Sequence, residues 1–114
     1  MEKNMDRSIP EKDWKQLNEF KPEMLNALCL RINRKAEKIL QSPDKSEHEK
    51  YLALFRHLKR ADYIVARCFD DWSRGTIRTK ISQLLYDGLL TDGHIQRLSD
   101  ETKEMIEGLI SPEY

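Results

Sequence analysis

The stretch Tyr51–Thr76, YLALFRHLKRADYIVARCFDDWSRGT, decides the architecture. Within it Tyr51, Phe55, Leu58, Asp62, Val65, Phe69, Trp72 and Thr76 recur at alternating steps of four and three, a heptad seam. No Pro or Gly interrupts the pattern before Gly75. A helix from Ser46 to Trp72 would be roughly 40 Å long at the α-helical rise. A rod of that length cannot be surrounded by the rest of a 114-residue chain. The pattern therefore predicts a homodimer when the protein is free, paired through Tyr51, Phe55, Leu58, Asp62, Val65, Phe69 and Trp72. Asp62 is the odd member, because a carboxylate in a seam lowers stability while fixing register. Either Lys59, Arg60 or Arg67 of a neighbouring helix is its partner, or the seam is shallow there.

Working outward, Ser46-Glu47-His48-Glu49 matches a capping box and starts the rod. Before it, Met24, Leu25, Leu28, Cys29, Ile32, Ala36, Ile39 and Leu40 form a helical apolar stripe. Arg31, Arg34, Lys35 and Lys38 occupy the opposite, solvated face. Ser42-Pro43-Asp44 closes that helix, so the two long segments should form an antiparallel hairpin. Further upstream, Met1–Arg7 is polar and frayed, and Ser8 or Ile9 caps a helix carrying Trp14 and Leu17. Lys21-Pro22 predicts a break or kink, since the residue before Pro avoids the α region.

Downstream, Gly75 either ends the rod or kinks it, with a kink preferred. Ile77, Ile81, Leu84 and Leu85 then predict a short helix ended by Asp87-Gly88, with Leu89 and Leu90 tucked back. Thr91-Asp92-Gly93-His94 reads as a cap leading into a short turn of helix at Ile95–Leu98. Ser99 caps a last helix with Asp100 and Glu101 in its first turn and Met105, Ile106, Leu109 and Ile110 on its buried face, stopped by Pro112. The expected fold is a single all-α domain over residues 1–114, with a coiled-coil-like stem at about 8–73 and a small helical head at about 76–111.

Charged residues make up 35% of the chain and cancel overall, but not locally. Residues 50–80 hold eight basic and three acidic side chains, net +5, and residues 81–114 hold two basic and seven acidic, net −5. Such asymmetry either steers a partner or lets the acidic tail fold beside the basic middle and neutralise it. A nucleic-acid-binding regulator would use the basic middle, yet a neutral total argues against a broad phosphate-binding face. There is no apolar run long enough to span a membrane. Met1–Pro10 lacks the apolar core of a secretory signal, so a cytoplasmic protein is expected, or one delivered into a host cell.

Catalytic chemistry is not encoded in any recognisable spacing. His48, His57 and His94 do not pair with one another or with Cys29 and Cys68 at metal-ligand spacing. Both cysteines lie on apolar helical faces and read as buried free thiols. Asp70 and Asp71 are adjacent and cannot face each other on a helix. No phosphate-binding glycine loop or nucleophile elbow is present. The expectation is no catalytic residue, no metal and no cofactor.

Two segments carry a resemblance: Leu54-Phe55-Arg56-His57-Leu58-Lys59-Arg60, and Ser82-Gln83-Leu84-Leu85-Tyr86-Asp87-Gly88-Leu89-Leu90 with Leu98-Ser99-Asp100-Glu101-Thr102-Lys103-Glu104-Met105-Ile106. Together they resemble the cyanobacterial fluorescence recovery protein family over roughly residues 50–108. Phe55, Lys59 and Arg60 match, whereas Lys50, Ala53 and Leu54 stand where the family carries an aromatic, a His and an Asp. About four extra residues separate Arg60 from the Gln-Leu-Leu segment. The resemblance implies an all-helical dimer, without cofactor, that regulates an orange carotenoid protein. The sequence is also similar in kind to a divergent relative of this fold from Legionella, a small inhibitor of ubiquitin-deamidating effectors, one of them also a transglutaminase. That likeness implies inhibition of an effector enzyme by direct binding, which is the leading functional expectation. The expected partner surface is the junction of rod and head, where Trp72, Arg74 and Arg78 combine residue types enriched at binding hot spots. Trp72 belongs either to that surface or to the dimer seam.

Overall fold

A computed structural model describes residues 9–110. The chain there is all-helical: α1 (Glu11–Leu40), α2 (Glu47–Phe69), α3 (Ile77–Tyr86), α4 (Asp92–Ile95) and α5 (Asp100–Ile110). The expected fraying of Met1–Arg7, capping by Ser8 and stop at Pro112 lie outside the described residues.

α1 runs without a break through Pro22, contrary to the expectation from Lys21-Pro22. The reason is packing. Leu17, Phe20, Met24 and Leu28 are all buried at helical spacing, so one apolar stripe continues across the proline while Pro22 itself faces solvent. Burying such side chains is worth about 1.5–3 kcal/mol each. Several of them outweigh the roughly 3 kcal/mol that an interior proline costs. Pro10 occupies the N-cap, and its carbonyl accepts from the N–H groups of Asp13 and Trp14.

α2 begins where the capping box places it: Glu49 N–H donates to Ser46 Oγ at 3.1 Å and Ser46 N–H to Glu49 Oε1 at 2.8 Å. It ends at Phe69 rather than Trp72, and the chain turns at Asp71, whose φ is 56°. Aspartate tolerates this left-handed conformation better than most residues. Thr76 Oγ1 donates to the Asp71 carbonyl at 2.6 Å and braces the turn, while Lys80 Nζ donates to the Arg67 carbonyl at 2.9 Å in the last turn of α2. Gly75 is therefore neither a kink nor a helix end but part of the link to α3.

α1 and α2 lie against each other. Asn18 accepts from the Trp72 indole N–H, and the Ile32 carbonyl accepts from the His57 ring. α3 ends as its sequence suggests. Gly88 has φ 70°, its N–H donates to the Leu85 carbonyl, and Leu89 N–H donates to the Leu84 carbonyl, the two bonds of a Schellman motif. Leu89 and Leu90 are buried. α4 starts at Asp92, earlier than expected, because Thr91 Oγ1 caps His94 N–H directly.

The core gathers where the five helices meet: Leu17, Phe20, Met24 and Leu28 of α1, Cys68 and Phe69 of α2, and Ile77, Ile81 and Leu84 of α3, closed by Leu89, Leu90, Leu98 and Ile106. α5 docks through Thr102 and Ile106, while Met105 is half-buried and Leu109 and Ile110 are exposed, so its expected apolar face is only partly used. Beyond this core the far halves of α1 and α2 project, in a molecule measuring 61 × 32 × 24 Å.

Candidate functional site

Three buried or half-buried polar groups join the long helices to the short ones. Asp13 of α1 is fully buried. It accepts from Ser99 N–H at 3.0 Å and from the hydroxyls of Ser99 and Thr102. Ser99 Oγ in turn caps Thr102 N–H. Asp13 thus does from α1 what a glutamate three residues after the cap does in a capping box. Burial pushes its carboxyl pKa up, but the hydrogen bonds from Ser99 and Thr102 together prevail and hold it below the usual carboxylate range.

Asp87 is the second joint. Its Oδ2 accepts from Arg67 at 3.1 Å and from the Cys68 thiol at 3.2 Å. Arg31 of α1 donates to the carbonyls of Asp87 and Gly88. Burial, with the Asp87 carboxylate, pushes the Cys68 thiol up to about 12, so it stays protonated at neutral pH. His94 is the third. Its Nδ1 accepts from Thr91 N–H at 3.0 Å, which leaves the proton on Nε2 to donate to Glu23 at 3.2 Å. Each of these polar groups has a structural duty. Among the described residues no three His, Cys, Asp or Glu side chains gather as a metal site would require.

The open surface lies on the projecting half of α2. Tyr51, Phe55 and Leu58 are 62, 54 and 44% exposed. With Asp62, also exposed, they form the first half of the heptad seam. The second half differs. Val65 is half-buried against the core, Phe69 is buried in it, and Trp72 lies beyond the end of the helix. A parallel row, Leu54, His57, Ala61, Ile64 and Cys68, turns toward α1, and His57 Nε2–H donates to the Ile32 carbonyl at 2.9 Å. That row stands one residue before the seam, so the two stripes are about 100° apart around the helix. Ile32, Phe55, Leu58 and Val65 line an apolar groove of about 590 Å³ along this edge, with Lys59 and Asp62 at its border.

At the junction the structure is less open than the sequence suggested. Trp72 stacks between Trp14 and Phe69 with centroids at 6.4 and 6.0 Å, lies under Lys21 Nζ, and donates its indole N–H to Asn18 Oδ1 at 2.8 Å. Arg74 donates to the Ile9 carbonyl at 2.8 Å. Both are engaged within the chain, and of the three expected partner-binding residues only Arg78 has a side chain directed to solvent without a described bond. Within the chain Trp72 braces the start of α1 against the end of α2.

No family model, curated protein or solved structure matches this chain. The likeness to fluorescence recovery proteins rests on the quoted residues alone. Sequence reading missed the joints at Asp13, Asp87 and His94, because their partners stand 86, 20 and 71 residues away. One signal was present: Ser99 is followed three residues later by Thr102, not Glu, which leaves its cap waiting for a carboxylate from elsewhere.

Proposed function

We propose that this chain is a non-enzymatic, all-helical binding protein. In this reading α1 and α2 form an antiparallel, coiled-coil-like stem and α3–α5 a head. Free, two copies pair through the open edge of α2, covering Tyr51, Phe55 and Leu58 with Asp62 setting register. Engaged, the chain covers a partner enzyme's surface and blocks it. The single observation that carries the reading is the second stripe on α2: three large apolar side chains, spaced as a seam and left uncovered by a helix that already has a neighbour. A helix with two apolar seams about 100° apart is what a four-helix bundle contains, so two hairpins side by side would complete it.

Inhibition of a ubiquitin-deamidating or transglutaminating effector is the partner class implied by the likeness to the Legionella inhibitor, and it is the one we adopt. A cytoplasmic site of action, in the producing cell or in a host, belongs to the same reading. Capture from the native host tests it: the tagged chain should retain an enzyme and lower its activity, and Phe55→Asp should reduce both. Retention of the same enzyme, undiminished, by the Phe55→Asp variant would show that this edge is not the binding surface.

A further inference from the structure

The opposite edge of the α1–α2 contact has a different chemistry. Ile32 and Ala61 lie on the contact line and border grooves on both sides. On the side away from Phe55 and Leu58, a groove of about 400 Å³ is floored by Leu28 and Ile64 and rimmed by Arg31, Lys35, His57 and Arg60. It adjoins a second depression along α2, where Arg56 and Arg60 flank Tyr63, which is 74% exposed, and where Lys59, its ammonium over the Phe55 ring, forms the border with the other edge. The one carboxylate on the first groove, Asp87, is already paired with Arg67. Among the described residues Lys35, Arg56, Lys59 and Arg60 have no carboxylate within ion-pair distance. Arg31 is held in place by its bonds to the carbonyls of Asp87 and Gly88, so this rim cation is already ordered before anything binds.

We propose that this basic groove is a second docking surface, and that its occupant is an amphipathic helix of a partner protein carrying acidic residues along its borders. The inference rests on the reading of the chain as a protein-binding module and names the chemistry of what it binds. Cations on two parallel rims match two acidic borders, while the aliphatic floor needs an apolar face to cover it. A phosphodiester backbone satisfies the first demand and not the second, because it would leave Leu28, Ile32 and Ile64 against charged oxygens. Pairing through the Phe55 edge leaves this groove open, so both surfaces can be occupied together.

Fluorescence anisotropy with the full chain tests the assignment. The probe is a labelled synthetic helix of about 20 residues, long enough to follow the projecting part of the stem, with Leu on one face and Glu along both borders. Two further probes are a scrambled peptide of the same composition and a duplex DNA of similar length. The helix should bind saturably and weaken as salt rises from about 50 to 200 mM. Lys35→Glu with Arg60→Glu should weaken it at least about tenfold, a change of roughly 1.4 kcal/mol. Phe55→Asp, on the other edge, should leave it unchanged, which separates this surface from self-pairing. Equal binding of the scrambled peptide, tighter binding of the DNA, or indifference to the charge reversal would each overturn the proposal.

Discussion

Replacing Asp13 should loosen the attachment of α5 more than any exposed change. The carboxylate is fully buried and receives three hydrogen bonds, from Ser99 N–H, Ser99 Oγ and Thr102 Oγ1. Hydrogen bonds to a charged group contribute about 1.5–3 kcal/mol each, and those in one network are not additive. Asp13→Ala, which strands all three donors, is expected to cost about 3–5 kcal/mol. Asp13→Asn keeps one acceptor oxygen and is expected to cost about 1–2 kcal/mol. At this chain length each kcal/mol corresponds to about 4 °C in Tm. The pH dependence gives the sharper check. The folded carboxyl lies below its unfolded value of about 3.9, so its contribution is complete above that value and fades as pH falls through the folded pKa. The gap between parent and Asp13→Asn in urea titrations followed by circular dichroism should therefore be widest near neutrality and close in acid. In a Thr102→Val background, Asp13→Ala should cost measurably less than in the parent. A gap that is absent at pH 7, or constant down to the acid limit, would refute the view that an ionised Asp13 holds α5 in place.

Pro22→Ala should stabilise the chain by about 1–3 kcal/mol in the same titrations, because α1 already continues through this position and the exchange restores a missing N–H donor. The two thiols should separate under alkylation of the folded protein at pH 8: Cys29, half-buried, is modified, while Cys68, whose thiol is pushed up to about 12, reacts only on unfolding, as intact-mass spectrometry would resolve. Gly88→Ala should destabilise by about 1 kcal/mol, since φ there is 70°, whereas Gly108→Ala, in open space on α5, should stabilise by about 0.5–1 kcal/mol, a contrast in sign that thermal melts can read.

Local chemistry was legible in the sequence where a signal and its target lie within one turn. Ser46 with Glu49 and Gly88 after Asp87 act where the residue types place them, and Thr91 does cap α4, three residues ahead of the expected start at Ile95. The Tyr51–Phe69 spacing shows a helix, but it could not show which of two adjacent stripes turns toward α1. Aromatic residues marked one stripe, and the row through Ala61 and Cys68, made of smaller side chains, took the contact. Pro22 and Trp72 misled for a related reason. A proline's cost and a tryptophan's hot-spot character are single-residue properties, and here Phe20, Met24, Trp14 and Asn18 decide what each one does. Charge asymmetry was visible, yet only the packing of α1 on α2 shows that Lys35 and Arg60 share one groove.

The central claim is that the open edge of α2 is a contact surface, and sedimentation equilibrium tests it most directly. The parent chain at micromolar concentration should have twice its 13.6 kDa mass. Phe55→Asp with Leu58→Asp should give a folded monomer, because both side chains are about half exposed in the single chain and are not needed for its core. A monomeric parent at these concentrations, or a double variant that remains a dimer with unchanged helicity, would contradict the account.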